Sequence, residues 1–526
     1  MSYLKKVTIE GTLDSGVVAP ISVTQEGHIE TAIHGPILPF GSVHVESMTP
    51  IFQTDGVYGL NSFEVSSTTG LAVGSGSGSG SATGVNNFMK CSTGTTQYSF
   101  STIQSRRRLR YRPGQGVIGR LAGLFSAPVA NSIVVAGFGT GESGFYFGYN
   151  GTSFGILHST GGVREIQTMT ITTASTATNN YNVTLPSGQV VNVTATNNAS
   201  TVKTAYEISQ GTYPGWSATQ RGSTVIFLSN DVGNKSLITL GQSGAATPAA
   251  GTNVETLAGV ASTDTWIYQS SWNGDKLDGT GASGFTLDPS KGNVYQIGIQ
   301  YLGFGTISFQ VEVPGSGGNN VTFVTCHTIQ VPNTRTTPSV TQPSFPFTAA
   351  AYSAGSTTDV SVSISSFAGF IEGIERELGP RQTYSATSTT VSTGSYYALF
   401  TVRNERVFAS RANQAVVKII SFGAGHDDAT PVSVFLIRNA TLAGTPNFTQ
   451  HSSTSCTYID TSATTCTVAD NSQIITTLPV SQNSSVVMTF PDNNTIQPGE
   501  TMTVAARTVT GTATWTLAVL NTREDI

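Results

Sequence analysis

An all-β fold, built as tandem β-sandwich or jelly-roll-like domains with one small inserted β-β-α-β module, is the fold class this sequence predicts. Three observations predict it. Apolar residues recur with a period close to two, in short runs broken by Gly, Asn-Gly, Pro-Gly and Ser/Thr clusters. Only 10% of the 526 residues are charged while 57 are glycine, so Thr, Ser, Asn, Gln and backbone must cover the surface. Hydrophobic residues nevertheless make up 38%, enough apolar area to offset the entropy of ordering several domains.

Taken in chain order, residues 1–90 are expected to form N-terminal strands and an attachment region, with a Gly/Ser-rich flexible loop at 73–84. Residues 91–165 together with 261–345 are expected to form a central β-sandwich. Its clearest element is GFYFGYNGTSFGILHSTGG, where Phe145, Phe147 and Tyr149 alternate with small residues up to Asn150-Gly151. That pair tolerates the positive φ of a type I′ turn, so a hairpin with an aromatic face is predicted. Between the two halves, 166–260 changes texture and reads as an inserted α+β module. It offers two strands about Pro186-Ser187-Gly188, a short helix and the strand TVIFLS. The helix has Ser200 as N-cap, Val202, Ala205 and Ile208 on one face, and Gly211 just past its end. VYQIGIQYLGFGTISFQVEV then returns to the strand period. The proline-rich stretch at 331–347 is incompatible with a central strand and reads as a linker or an edge-hugging connection. Residues 346–526 are expected to form a C-terminal β-sandwich.

Charge excludes some function classes. The 25 basic and 30 acidic residues leave a net charge of -5, which provides no global field for nucleic acid or an anionic membrane. No apolar leader follows the two N-terminal lysines, and no run reaches the length of a membrane span. The four cysteines are too scattered for a disulfide framework; only Cys456 and Cys466 are close enough for a turn to oppose them.

The densest charged segment is SRRRLRYRPGQG. In a strand, Arg106, Arg108, Arg110 and Arg112 project from one face. A phosphate-binding stripe is one reading, but no second basic cluster accompanies it to form a groove. The preferred reading is an interface in which guanidinium groups pair with carboxylates or carbonyls of a neighbouring strand or subunit.

Candidate carboxylates for catalysis or metal binding are Asp275 with Asp278, Glu372 with Glu375 and Glu377, and Asp427 with Asp428 beside His426. The first pair sits in a glycine-rich turn, where aspartate ordinarily caps backbone. None of these sets completes a known catalytic or cation-binding pattern. The expectation is therefore no enzyme, no cofactor and no metal. Trp266, Trp272 and Asp275, with Tyr268 between them, form a candidate glycan contact, set against a plain role as core aromatics at strand starts.

Several spaced motifs resemble a family. RLRYRPGQG at 108–116, FGYNGTSFGILHSTGG at 147–162, the run from Trp272 to Val313 and IQPGETMTVAARTVTGTATWTLAVLNTRED at 496–525 are similar to virion structural proteins of tailed bacteriophages. The resemblance is chiefly to marine and cyanophage types, with relatives in some large DNA viruses of algae and protists. The resemblance covers most of the chain, apart from residues 1–40 and the run at 73–84. It implies a β-rich component of the virion exterior: a capsid-associated protein, a fibre or spike, or a tail appendage. Such a component is assembled in the host cytoplasm and released by lysis. The implied partners are further copies of the chain, as a trimer or ring, and major capsid or tail proteins. Host surface glycans are the partner if the protein is instead a receptor-binding adhesin; a polysaccharide depolymerase is a third, weaker expectation.

Overall fold

The computed structural model describes residues 10–12, 18–20, 48–72, 78–175, 178–196, 200–243, 250–300, 302–314, 321–374, 379–388, 390–491, 494–514 and 516–525. The chain divides into two units, Met1–Met48 and Thr49–Ile526. In the first, the described residues form one antiparallel pair, Glu10–Thr12 with Val18–Pro20. The second contains two sandwiches and the inserted module, nearly all strand with one α-helix among the described residues.

The first sandwich stacks two large sheets. One runs, edge to edge, through Thr263–Tyr268, Ser153–Thr160, Gly144–Asn150, Ser132–Gly139, Ser344–Ser353, Ser99–Arg110 and Val65–Leu71. The other runs through Val321–Ile329, Ile307–Pro314, Asn293–Ile299, Val117–Phe125, Ser361–Glu372, Phe88–Ser92 and Ser81–Val85, with Met48–Asp55 also paired to Ser361–Glu372. Strict alternation explains the stacking. In Val117–Phe125 every second residue is buried, and the same holds in Ile307–Pro314 up to its last residue. The core between the sheets is aromatic: Phe147 lies 5.4 Å edge-on to Phe309, and Phe347 stacks on Phe367 at 4.0 Å. Burying each such ring is worth about 1.5–3 kcal/mol before cavity costs.

The hairpin forms, with its turn one residue later than expected. Asn150 pairs with Ser153, so the two-residue loop is Gly151-Thr152, and Gly151 has φ +59° while neither Asn150 nor Thr152 has positive φ. Glycine at the first loop position suits a type II′ turn, not the I′ turn expected from Asn-Gly.

Two expected boundaries and two expected segment assignments are corrected. The C-terminal sandwich does not begin at 346: Ser344–Ser353 and Ser361–Glu372 lie inside the two sheets of the first sandwich. Ser344–Ser353 is a central strand despite Pro346. The ladder shifts register between Pro346 and Thr348, and the Phe347 N–H donates to Ser105 Oγ at 2.9 Å, so the missing proline donor falls at a bulge. The N-terminal region does not extend to 90, because strands from Met48 onward join the first sandwich. Of the Gly/Ser run, 73–77 lie outside the described residues, while Ser81–Val85 is an edge strand and not a free loop. Its glycine has a packing reason, since a Cβ on Gly84 would sit 2.3 Å from Gly59 Cα.

The inserted module carries more than β-β-α-β. Its described strands are seven, in a four-stranded sheet (Trp216–Arg221, Thr224–Val232, Arg164–Thr173, Ala250–Leu257) and a three-stranded one (Val190–Ala195, Asn179–Thr184, Thr239–Ser243). The helix is Thr201–Ser209, capped as expected by Ser200, whose Oγ accepts the Lys203 N–H at 3.3 Å. Ala205 and Ile208 are fully buried beneath it.

The C-terminal sandwich begins at Arg381. One sheet orders Arg381–Ser388, Thr516–Asp525, Val416–His426 and Ser484–Thr489, with Thr495–Ile496 also on Val416–His426. The facing sheet orders Thr441–Gly444, Ala463–Thr467, Tyr396–Asn404, Thr501–Thr508, Val432–Arg438 and Ile474–Val480. The closing strands, Thr501–Thr508 and Thr516–Asp525, thus belong to opposite sheets. All four cysteines are buried and free, Cys456 and Cys466 included. Burial pushes the Cys91 and Cys466 thiols up to about 12. No helix among the described residues is long and apolar enough to cross a membrane.

Candidate functional site

The arginine row lies on Ser99–Arg110 and the two residues after it, and meets carboxylates from the far end of the chain. Arg106 pairs with Glu500 at 3.1 Å; Arg110 and Arg112 both reach Asp525 Oδ1, at 3.4 and 3.1 Å. These carboxylates belong to the C-terminal sandwich, so within this chain the row joins one sandwich to the other. Glu142, in the loop after Ser132–Gly139, extends the contact by accepting from Gln414 Nε2 at 3.1 Å, while Arg164 of the inserted module approaches it at 3.9 Å. Arg108 is the exception. Its Nε and Nη1 are sealed from solvent with no acceptor among the described residues. Burial lowers its pKa to about 10, with nearby Arg164 adding to the shift and Glu142 opposing it, so the group remains cationic at neutral pH.

A second, more deeply buried cluster joins the inserted module to the C-terminal sandwich. Glu405 is fully buried and accepts from Arg403 Nη2 at 2.7 Å, Arg221 Nε at 3.4 Å and Thr219 Oγ1 at 2.7 Å. Burial alone would raise its carboxyl pKa; Arg403 and Arg221 outweigh that and hold it below the ordinary range. Arg403 also lies over the Phe448 ring at 4.0 Å. Gln220 ties the two modules from both ends, its carbonyl accepting from Arg403 and its Oε1 from the Phe448 N–H at 3.2 Å.

Sequence reasoning found the arginine row and missed this second cluster. Its signal is VRNERV, where Arg403, Glu405 and Arg406 fall within four positions of a chain that is only 10% charged. Between the first and C-terminal sandwiches the seam opens into a cleft of about 370 Å³, lined among others by Phe52, Phe63, Arg106, Arg438, Gln497 and Glu500.

The glycan triad does not converge. Trp272 is a core residue, 3% exposed, edge-on to Phe147 and Phe154, with its Nε1 donating to Ile267 O at 3.2 Å. Trp266 is half-buried on the opposite face of its sheet, beside Val135, Tyr146 and Leu157. Asp275 accepts the N–H groups of Leu277 at 2.9 Å and Ser283 at 2.7 Å. Its modest burial would raise the pKa, and those bonds outweigh it, leaving the carboxyl below its ordinary value. It holds a turn. Trp266 and Tyr268 remain as a parallel pair 6.5 Å apart, Tyr268 exposed at 37% with its hydroxyl accepting from Asn150 Nδ2.

Of the other carboxylates, Asp278, Glu372 and Asp428 are likewise engaged with backbone. Asp278 accepts from the Thr280 N–H and Glu372 from the Gly116 N–H. Glu375 and Glu377 lie outside the described residues. His426 contacts Thr430 O and Thr516 Oγ1, and Asp428 accepts from the Thr514 N–H and hydroxyl. No group of three metal-ligating side chains occurs among the described residues.

No protein-family model matches the chain, and no curated protein is similar to it.

Proposed function

We propose that this protein is a self-associating structural component of a virion exterior, placed as a capsid-associated protein, a fibre or spike, or a tail appendage. The observation that carries the self-association is the edge strand Ser484–Thr489. Among the described residues it pairs on one side only, with Val416–His426, and it carries no charged residue; Val487 is 70% exposed and Met488 39%. An uncharged strand edge with apolar side chains is a template for another strand, and proteins that stay monomeric usually blunt such edges with lysine, proline or bulges. A sister copy supplies a strand of matching character. Self-pairing of this edge would give a two-fold dimer, and pairing with a different edge a ring.

The virion placement is supported by the resemblance of the four spaced motifs. A weakly charged surface and closely paired strands suit a particle exterior, and major capsid or tail proteins are the neighbours it implies. Proteomics of density-purified particles from an infected culture tests this. The chain should appear in stoichiometric proportion to the particle's known shell or tail proteins, and its absence would contradict the reading.

A second reading, capture of host surface glycans, is favoured by one observation, the parallel Trp266–Tyr268 pair on the sheet edge. Tyr268→Ala should then abolish adsorption to host cells; unchanged adsorption removes this reading.

A further inference from the structure

The cleft between the two sandwiches has the make-up of a ligand site. Its volume of about 370 Å³ falls within the roughly 300–1,000 Å³ of small-molecule clefts, which form preferentially where domains meet. The first sandwich contributes Phe63, Glu64 and Arg106, and the C-terminal sandwich Arg438, Ile475 and Gln497. Phe63 precedes Val65–Leu71 and keeps 60% of its surface exposed. Its turn is nevertheless fixed, because the Phe63 N–H donates to Asn61 Oδ1 at 3.0 Å and Arg106 Nε donates to Ser62 O at 2.5 Å.

The polar groups are likewise tethered. Arg106 Nη1 pairs with Glu500 at 3.1 Å, Arg438 Nη2 donates to Thr495 O at 3.2 Å, and Gln497 Nε2 donates to Thr495 Oγ1 at 3.0 Å. Each tether leaves capacity over, namely further N–H groups on both guanidiniums and the carbonyl oxygen of Gln497. Groups of both signs beside an aromatic ring restrict what can bind. An anion meets the carboxylates of Glu64 and Glu500, a cation meets the arginines, and a wholly apolar body strands every polar group without a partner. The mixture decides this, whatever the net sign. A neutral molecule that donates, accepts and has one apolar face satisfies all of them. A pyranose is such a molecule: its C–H face lies on an aromatic ring, and neighbouring hydroxyls span the planar, two-pronged end of a guanidinium, amide or carboxylate.

We propose that this cleft binds a neutral saccharide unit, stacked on Phe63 and hydrogen-bonded by Arg106, Arg438 and Gln497. The sugar then touches both sandwiches at once. Val65–Leu71 and Thr263–Tyr268 are opposite edges of one seven-stranded sheet, so the site lies apart from the Trp266–Tyr268 pair and does not rest on glycan capture there.

The test uses the full chain on an array that carries neutral oligosaccharides, uronate- and sialate-bearing oligosaccharides and uncharged peptides. The strongest neutral saccharide is then titrated calorimetrically. Wild type should bind at least one neutral saccharide, and Phe63→Ala, a change at an exposed position, should weaken that binding about tenfold or more. Gln497→Ala should weaken it as well, and crystals soaked in the same saccharide should show it between Phe63 and Gln497. An array with no neutral saccharide bound, binding confined to acidic glycans or to peptides, or an affinity that survives in Phe63→Ala would each overturn the proposal. Loss in Tyr268→Ala with retention in Phe63→Ala would move the sugar to the edge pair and overturn this site alone.

Discussion

The seam between the modules and the edge strand Ser484–Thr489 are built from opposite chemistry. At the seam, arginines and carboxylates meet in directional pairs, and Glu405 alone engages Arg403, Arg221 and Thr219 in full burial. The edge strand bears no charge and exposes Val487 and Met488. Directional pairs select one docking geometry out of many, which suits modules of one chain that must meet in a single arrangement. A row of unpaired backbone groups with small apolar side chains selects little beyond another strand, which suits contacts repeated between identical copies. A chain with so few charges thus places many of them where its own parts join and leaves an outer edge uncharged.

The largest expected effect tests the deep end of the seam. Glu405→Ala leaves the buried Arg403 and the partly exposed Arg221 without their carboxylate and should cost about 3–5 kcal/mol, read as a lower urea midpoint for the inserted module and C-terminal sandwich. If the loss is below about 1 kcal/mol, the seam is no stronger than a surface contact and the contrast with the edge collapses.

A smaller effect sharpens the same contrast. Asp525→Ala removes the shared acceptor of Arg110 and Arg112, whose side chains are 30% and 17% exposed. Solvent screening limits the expected loss to about 1 kcal/mol, readable in the same titration.

Acid titration probes the rim near the edge strand. The Asp428 carboxyl is held down at about 2, chiefly by the Thr514 hydroxyl and then by the Thr514 and Thr430 N–H groups, against an ordinary value of 3.8. A carboxyl with a depressed folded pKa gives its full stabilisation above the unfolded value and loses it as pH falls toward the folded one. The wild type should therefore lose this contribution between about pH 4 and pH 2. Asp428→Asn should show a shallower decline across that window in a thermal-unfolding series, and an unchanged slope would refute the assignment.

The smallest stability effect belongs to the edge. Val487→Lys touches a mostly exposed position and should change unfolding stability by no more than about 0.5 kcal/mol. A large destabilisation would mean that Val487 supports its own sandwich, not a partner.

The fold class was legible because period-two alternation survives in strands such as Val117–Phe125, Ile307–Pro314 and Thr516–Asp525, and the helix because Ser200 and Gly211 mark its ends. Sheet membership was not. Ser344–Ser353 reads locally as a proline-rich connection, yet it lies between Ser132–Gly139 and Ser99–Arg110 because a register shift absorbs Pro346. Such pairings form between residues hundreds of positions apart and leave no mark in a local window. The arginine row was visible as a cluster, but its partners Glu500 and Asp525 lie 394 and 413 positions from Arg106 and Arg112. Trp272 and Trp266 are close in sequence, and the fold sends them to opposite faces of one sheet, so proximity along the chain misled where strand direction decides.

Sedimentation equilibrium of the intact protein over a wide concentration range, wild type beside Val487→Lys, tests the central claim most directly. The account predicts reversible, concentration-dependent assembly of the wild type and a single-copy mass for the variant across the same range. A wild type that remains at the mass of one chain throughout, or a variant that assembles as the wild type does, would contradict it.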